Sequence, residues 1–304
     1  MTTAATNNKR RQGIVGKEKF YQNAGANVIK TLLPRLNCTM QIADLRVSAI
    51  GAVCGIILSM PLSSAATGAE CVASSGKQRV ALLELYTSEG CSSCPPADKW
   101  VSKLAAGKLV PAALLPLAFH VDYWNYLGWN DPFSQSKFSD RQREHSRRRN
   151  LSFVVTPQLL LNGQNYTRPL LLEDIEGKTK SINQTPPRAE IRISQIRTSV
   201  QIDARVEVRA TDDESRRAKL FVALYENNLL TAVKAGENKG ALLKHDFVVR
   251  ELSGPIPLDG DGRGAHSANV RLDPLWKPQD LHFAAFVQHP RSGEVMQALS
   301  ASCQ

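Results

Sequence analysis

Residues 77–98 read KQRVALLELYTSEGCSSCPPAD, and the order of events within them decides how the first half of the chain is read. Lys77 to Tyr86 is an apolar run suited to a buried strand. Thr87 to Gly90 breaks it, and the dithiol Cys91–Ser92–Ser93–Cys94 follows. Pro95 and Pro96 then open a helical stretch from Ala97 to about Ala106. Proline fits a helix only in its first turn, so the helix begins close to the cysteines. The C-x-x-C spacing brings two thiols within disulfide reach. A nearby helix N-terminus favours the thiolate, because its free N–H groups and the positive end of the dipole stabilise negative charge. Such settings lower a thiol pKa from about 8.5 to roughly 3.5–7.5. Cys91, expected nearer solvent, is the candidate nucleophile, and Cys94 is the candidate resolving thiol. Two other readings stand beside this one. The pair would also serve as a thiolate site for copper(I), or as a purely structural staple in a binding protein. There is no second C-x-x-C to complete a four-thiolate zinc site.

Working outward, Leu114 to Val121 (LLPLAFHV) predicts a second buried strand, ending at Asp122. An aromatic loop runs to Trp129, and Asp131–Pro132 opens a polar helix to about Arg149. Thr156–Pro157 precedes the run Gln158 to Leu161 and the turn Asn162–Gly163, a strong hairpin signal. Its place before the hairpin predicts a cis peptide facing the dithiol, with the Thr156 backbone free to pair with an extended substrate. Pro169 suits the first turn of a helix running to about Ile182. The succession of strand, helix, strand, helix, strand, hairpin strand and helix is that of a thioredoxin fold. After Thr185–Pro186–Pro187 the period changes to two. Val200, Ile202, Ala204, Val206 and Val208 alternate with polar residues, as in a strand with one wet face. Further runs at 220–225, 245–252, 268–272, 281–288 and 295–299 predict an all-β, sandwich-like domain. The expected fold class is therefore an α/β thioredoxin-like domain, residues 70–184, followed by an all-β sandwich-like domain, residues 185–304.

The stretches ELYTSEGCSSCPPAD, FHVDYWNYLGWNDPFS, SDRQ and VVTPQLLLNG together resemble the bacterial domain-of-unknown-function family 1223 over roughly residues 78–300. The resemblance implies a secreted, thioredoxin-like protein and brings no established substrate or reaction. Gly90 stands where thioredoxin has a tryptophan before the first cysteine, and Ser92–Ser93 replaces its Gly-Pro pair.

Around the dithiol, Glu89 is a candidate for tuning Cys91 and Asp122 for relaying a proton to Cys94, each against a plain turn or loop-capping role. Tyr123, Trp124, Tyr126 and Trp129 are candidates for a substrate groove, though half of them are expected to pack in the core. His120, inside an apolar strand, reads as a core histidine rather than a metal ligand. Arg141, Arg143, Arg147, Arg148 and Arg149 read as a solvated helix face before an anion site. Asp259–Gly260–Asp261–Gly262 reads as a turn. These motifs call for no cofactor and no metal centre; the expected partners are protein or small-molecule thiols and disulfides.

Charge and leader bear on location. The formal charge is +10, but residues 1–69 hold eight Lys/Arg against two Asp/Glu, while 70–304 hold 30 against 26. A nucleic-acid footprint needs its basic residues on the folded part, so nucleic acid is excluded as an expected partner. The apolar run Val47 to Leu62 matches a signal-peptide core and is short for a membrane span. Residues 40–69 are expected to be a signal peptide cleaved near Ala66 or Ala69, giving a periplasmic or secreted protein. Residues 1–39 are polar and unpatterned, and read as a disordered or misannotated leader with translation starting at Met40. Cys71 and Cys303 then flank the mature chain, which suggests a second disulfide in an oxidising compartment, against two free thiols on frayed ends.

Overall fold

The computed structural model describes residues 70–167 and 172–301, all within one compact unit. The first half holds β1 (Glu70–Ser74), β2 (Ala81–Thr87), α1 (Pro95–Leu104), β3 (Leu114–His120) and α2 (Ser136–Arg148). The hairpin β4 (Gln158–Leu161) and β5 (Gln164–Asn165) and the helix α3 (Leu172–Asn183) complete it. The second half is strands alone: β6 (Ala189–Arg197), β7 (Gln201–Ala210), β8 (Lys219–Glu226), β9 (Leu229–Ala232) and β10 (Leu242–His245), then β11 (Val248–Pro257), β12 (Arg263–Arg271), β13 (Leu281–Gln288) and β14 (Val295–Ala301).

These strands form an eight-stranded sheet ordered β14-β13-β8-β11-β3-β2-β4-β5, a four-stranded sheet β1-β6-β7-β12, and the two-stranded ribbon β10-β9. This corrects the expected fold class. The chain is mostly β, with three α-helices among the described residues, and is not an α/β thioredoxin-like domain followed by an all-β sandwich-like domain. The physical reason lies at the edge of β3. Its free backbone groups would be a liability if left open. Strand β11 covers them: Val248 pairs in parallel register with Ala118, and the Ala118 N–H donates to the Phe247 carbonyl at 2.8 Å. Strands β8, β13 and β14 then extend the same sheet.

Every residue of β2 and β3 is buried, as befits central strands covered on both faces. Strand β7 instead buries Ile202, Ala204, Val206 and Val208, while the residues between them face outward. Two cores follow. One joins Leu82, Leu85, Phe119 and Phe138 to Phe221 and Phe286 from the second half. The other lies between the four-stranded sheet (Ile191, Ile193, Val206) and the far part of the large sheet (Leu220, Leu224, Phe283). Burial of these side chains stabilises each by roughly 1.5–3 kcal/mol.

The helix read as a solvated basic face is only partly so. In α2, Phe138, Arg141, Gln142 and His145 are buried at helical spacing, while Arg143 and Arg147 remain exposed. Arg141 pairs with buried Glu84 at 2.7 Å and lies over the rings of Phe221 and Phe286 at 4.6 and 5.1 Å. Near the expected linker, the Arg79 guanidinium donates to Thr185 Oγ1 at 2.8 Å, to Glu294 at 2.7 Å and to the Val295 carbonyl. The expected leader and signal segment (residues 1–69) and Cys303 lie outside the described residues; Cys71, in β1, is disulfide-bonded.

Candidate functional site

The dithiol sits where β2 turns into α1. The Cys91 N–H donates to the Ser88 carbonyl and the Cys94 N–H to the Cys91 carbonyl, both at 3.2 Å, which winds the chain into the helix. Cys94 is the N-cap of α1, and its carbonyl accepts from the N–H groups of Ala97 (2.9 Å) and Asp98 (3.2 Å). Pro95 and Pro96 occupy the first turn, where a missing N–H removes no helix hydrogen bond. Cys91 and Cys94 form a disulfide, with Cα atoms 5.5 Å apart. A Cβ on Gly90 would lie 3.1 Å from Trp124 Cβ and 3.3 Å from its carbonyl, so this position suits glycine.

The Thr156–Pro157 peptide is cis and faces the pair. The Thr156 carbonyl lies 3.8 Å from Cys91 Sγ and accepts from Ser93 Oγ at 3.4 Å. Trp124 Nε1 donates to Thr156 Oγ1 at 2.7 Å, so the aromatic loop holds this edge in place. Beside it, Ala97, Val155, Pro157, Leu159 and Tyr166 line a cleft of about 320 Å³. Tyr126, Phe153 and Val155 are exposed, whereas Tyr123 and Trp129 are tied by hydrogen bonds to Gln142 and Glu89.

Ser92 and Ser93 are exposed, but Cys91 is 1% and Cys94 0% accessible. The sequence reading placed Cys91 nearer solvent. The backbone around Cys91 is held by a segment that reading did not identify, the loop of the β9–β10 hairpin. Asn238 Nδ2 donates to the carbonyls of Glu89 (2.8 Å) and Cys91 (2.9 Å), and Glu237 accepts from the Ser92 N–H at 2.9 Å. That N–H holds the Glu237 carboxyl below its ordinary pKa. Gly236, at φ +72°, approaches Trp129, whose Cβ would be 3.2 Å from a Cβ on Gly236.

Behind the dithiol lies a buried polar cluster. Glu89 accepts from Trp129 Nε1 at 2.8 Å and faces His245 Nε2 at 3.1 Å. Asp98 accepts from Thr87 Oγ1 at 2.9 Å and approaches His245 Nδ1 at 3.6 Å. Burial alone would lower the His245 pKa, but the Asp98 and Glu89 carboxylates outweigh it and push it up to about 10. His120 Nδ1 meets Asp131 at 2.7 Å. Burial would raise the Asp131 carboxyl, yet His120 and the N–H groups of Glu89 and Phe133 hold it below the ordinary range. Asp122 is placed elsewhere: it takes the Ser139 hydroxyl of α2 at the end of β3. The turn at 259–262 closes on itself through the Asp259 carbonyl and side chain.

Asp98 stands inside the motif that carries the dithiol, and its signal was the run PPAD just after Cys94. Glu237, Asn238 and His245 gave no local signal, because their partners beside the dithiol are 145 to 156 residues away.

Comparison with known proteins adds a family and a fold. The family model described as "Protein of unknown function (DUF1223)" matches residues 82–288. A crystal structure of a protein from Agrobacterium tumefaciens is similar at 23% identity and TM-score 0.54, covering 74% of this chain and 96% of that one. HBP35 of Porphyromonas gingivalis is similar at 17% identity and TM-score 0.57, covering 75% of this chain and 76% of that one. No curated protein matches.

Proposed function

The chain belongs to the DUF1223 family, and we propose that it is an exported thiol–disulfide oxidoreductase working through Cys91 and Cys94. The observation that carries the reading is the placement of the Cys91–Cys94 disulfide at the N-terminus of α1, with Cys91 Sγ facing the carbonyl that precedes Pro157. In the reduced state the Cys91 thiolate attacks a substrate disulfide, forming a mixed disulfide and expelling one substrate thiolate. The Cys94 thiolate, at the helix N-terminus, then attacks Cys91 Sγ. That step frees the second substrate thiolate and closes the Cys91–Cys94 bond. Two electrons pass to the substrate, and the reverse sequence oxidises it. The cleft beside Pro157 and the exposed Phe153 and Val155 suit an extended apolar peptide. The run Val47 to Leu62 supports export to an oxidising compartment, and among the described residues no helix is long and apolar enough to cross a membrane.

Burial of both sulfurs favours a second reading, in which the disulfide is structural and the protein is a binding module. The two are separated by incubating the reduced full chain with a disulfide-bonded peptide. An oxidoreductase yields a trapped mixed disulfide with Cys94→Ser and none with Cys91→Ser. A structural bond yields none with either variant, and resists mild reduction.

A further inference from the structure

Two histidines in the buried cluster each have one ring nitrogen hydrogen-bonded and one without a hydrogen bond, His245 Nδ1 lying 3.6 Å from Asp98 Oδ1. His120 uses Nδ1 on Asp131, and His245 uses Nε2 on Glu89. Their other nitrogens, His120 Nε2 and His245 Nδ1, are buried without a hydrogen-bond partner. Both residues are almost inaccessible, at 0% and 2%. A buried polar atom left unsatisfied costs roughly 1–3 kcal/mol, so two in one cluster call for an explanation. The rings meet edge to face with centroids 4.9 Å apart, and one ligand atom each from Asp98, His120 and His245 lies within 4.8 Å of the others.

We propose that Asp98, His120 and His245 bind a divalent first-row transition ion of the zinc or iron(II) class. Histidine ligands of a metal typically donate their second N–H to a carboxylate, which fixes the tautomer and leaves the opposite nitrogen's lone pair aimed at the ion. Both histidines have that partner here, and each carboxylate is itself held. Glu89 takes Trp129 Nε1, Asp131 takes the Glu89 N–H at 2.8 Å, and Asp98 takes Thr87 Oγ1 through Oδ2, leaving Oδ1 toward His245. Two imidazoles and a carboxylate suit these ions, and three protein ligands leave a fourth position for water or a small ligand. Bonds of about 2.1 Å in tetrahedral array place ligand atoms about 3.4 Å apart, so the widest separation in the cluster closes by up to about 1.4 Å on binding, while the His245–Asp98 pair, at 3.6 Å, is already near it. The site lies directly behind the dithiol, since Glu89 precedes Cys91 by two residues and Asp98 follows Cys94 by four. It needs neither thiol.

The test keeps the full chain oxidised, so that the cysteines offer no thiolate. The protein is stripped with chelator and titrated with Zn²⁺ and with Co²⁺, reading metal stoichiometry and the visible cobalt spectrum. The expected result is one equivalent bound, with cobalt bands of nitrogen and oxygen ligation and no sulfur charge-transfer band. His245→Gln abolishes this binding, and Asp131→Asn weakens it 10–100-fold. The double variant Cys91→Ser/Cys94→Ser retains it. Should a histidine variant fail to fold, the imidazole resonances of His120 and His245 in the wild type report instead, and must shift on Zn²⁺ addition. The proposal is overturned if the oxidised wild type binds no stoichiometric metal. It is equally overturned if binding leaves those resonances unmoved, or survives in folded His245→Gln. None of these outcomes depends on whether the dithiol is redox-active.

Discussion

Arg141 shows how much one side chain ties together. Its guanidinium is buried on Glu84 and lies against Phe221 and Phe286 from strands far along the chain. Removing one partner of a buried pair leaves the other charge uncompensated, which costs about 3–5 kcal/mol. Arg141→Leu is therefore expected to lower unfolding stability by that amount in urea titrations, and Arg141→Leu/Glu84→Gln to recover a large part of it. At this scale the sequence was legible where chemistry is local. Cys91, Cys94 and Pro157 stand in recognisable contexts, and the structure brings them within a few ångströms. It was illegible where a residue's character depends on a distant partner. Arg141 looked solvated among other arginines until the phenylalanines beneath it were in place. His120 looked like an ordinary core histidine, because the ring that faces it, His245, is 125 residues away.

Among the elements, the β9–β10 hairpin matters most to the site. Asn238 holds the carbonyls of both Glu89 and Cys91 where the chain enters the dithiol turn. Each such hydrogen bond contributes about 0.5–1.5 kcal/mol. If these bonds must open before a thiol reaches Cys91, Asn238→Ala accelerates reduction of the disulfide by dithiothreitol about tenfold or more, and lowers overall stability by about 1–3 kcal/mol. An unchanged rate would show that access does not run through the hairpin. The strands and helices themselves were largely readable. The Asn162–Gly163 turn adopts positive φ at both residues (51° and 76°), as its dipeptide demands, and the period-two pattern marked β7 correctly. The short strands β9 and β10 were missed because a four-residue ribbon carries too few alternations to register.

The whole molecule is where sequence reading failed. A run such as LLPLAFHV announces a buried strand but not which strands flank it, and β3 turned out to be shared between the two halves. The predicted thioredoxin-like unit therefore does not stand apart. Residues 70–184 expressed alone would expose the β3 edge and the apolar face that Phe221 and Phe286 cover. That fragment is expected to aggregate or to lack a cooperative melt, while the intact chain unfolds in one transition by far-UV and near-UV circular dichroism. A fragment that melts cooperatively would contradict the shared core.

The proposed activity rests on the Cys91–Cys94 bond being exchangeable despite its burial, and the reduction potential of that pair tests this most directly. The full chain is equilibrated against graded glutathione buffers, trapped by alkylation and read by mass, with Cys91→Ser and Cys94→Ser as controls. The proposal predicts a potential within roughly −120 to −270 mV, the span of working dithiol proteins. A pair that stays oxidised below about −300 mV would mark a structural bond, and the protein would then be a binding module with a stapled helix terminus.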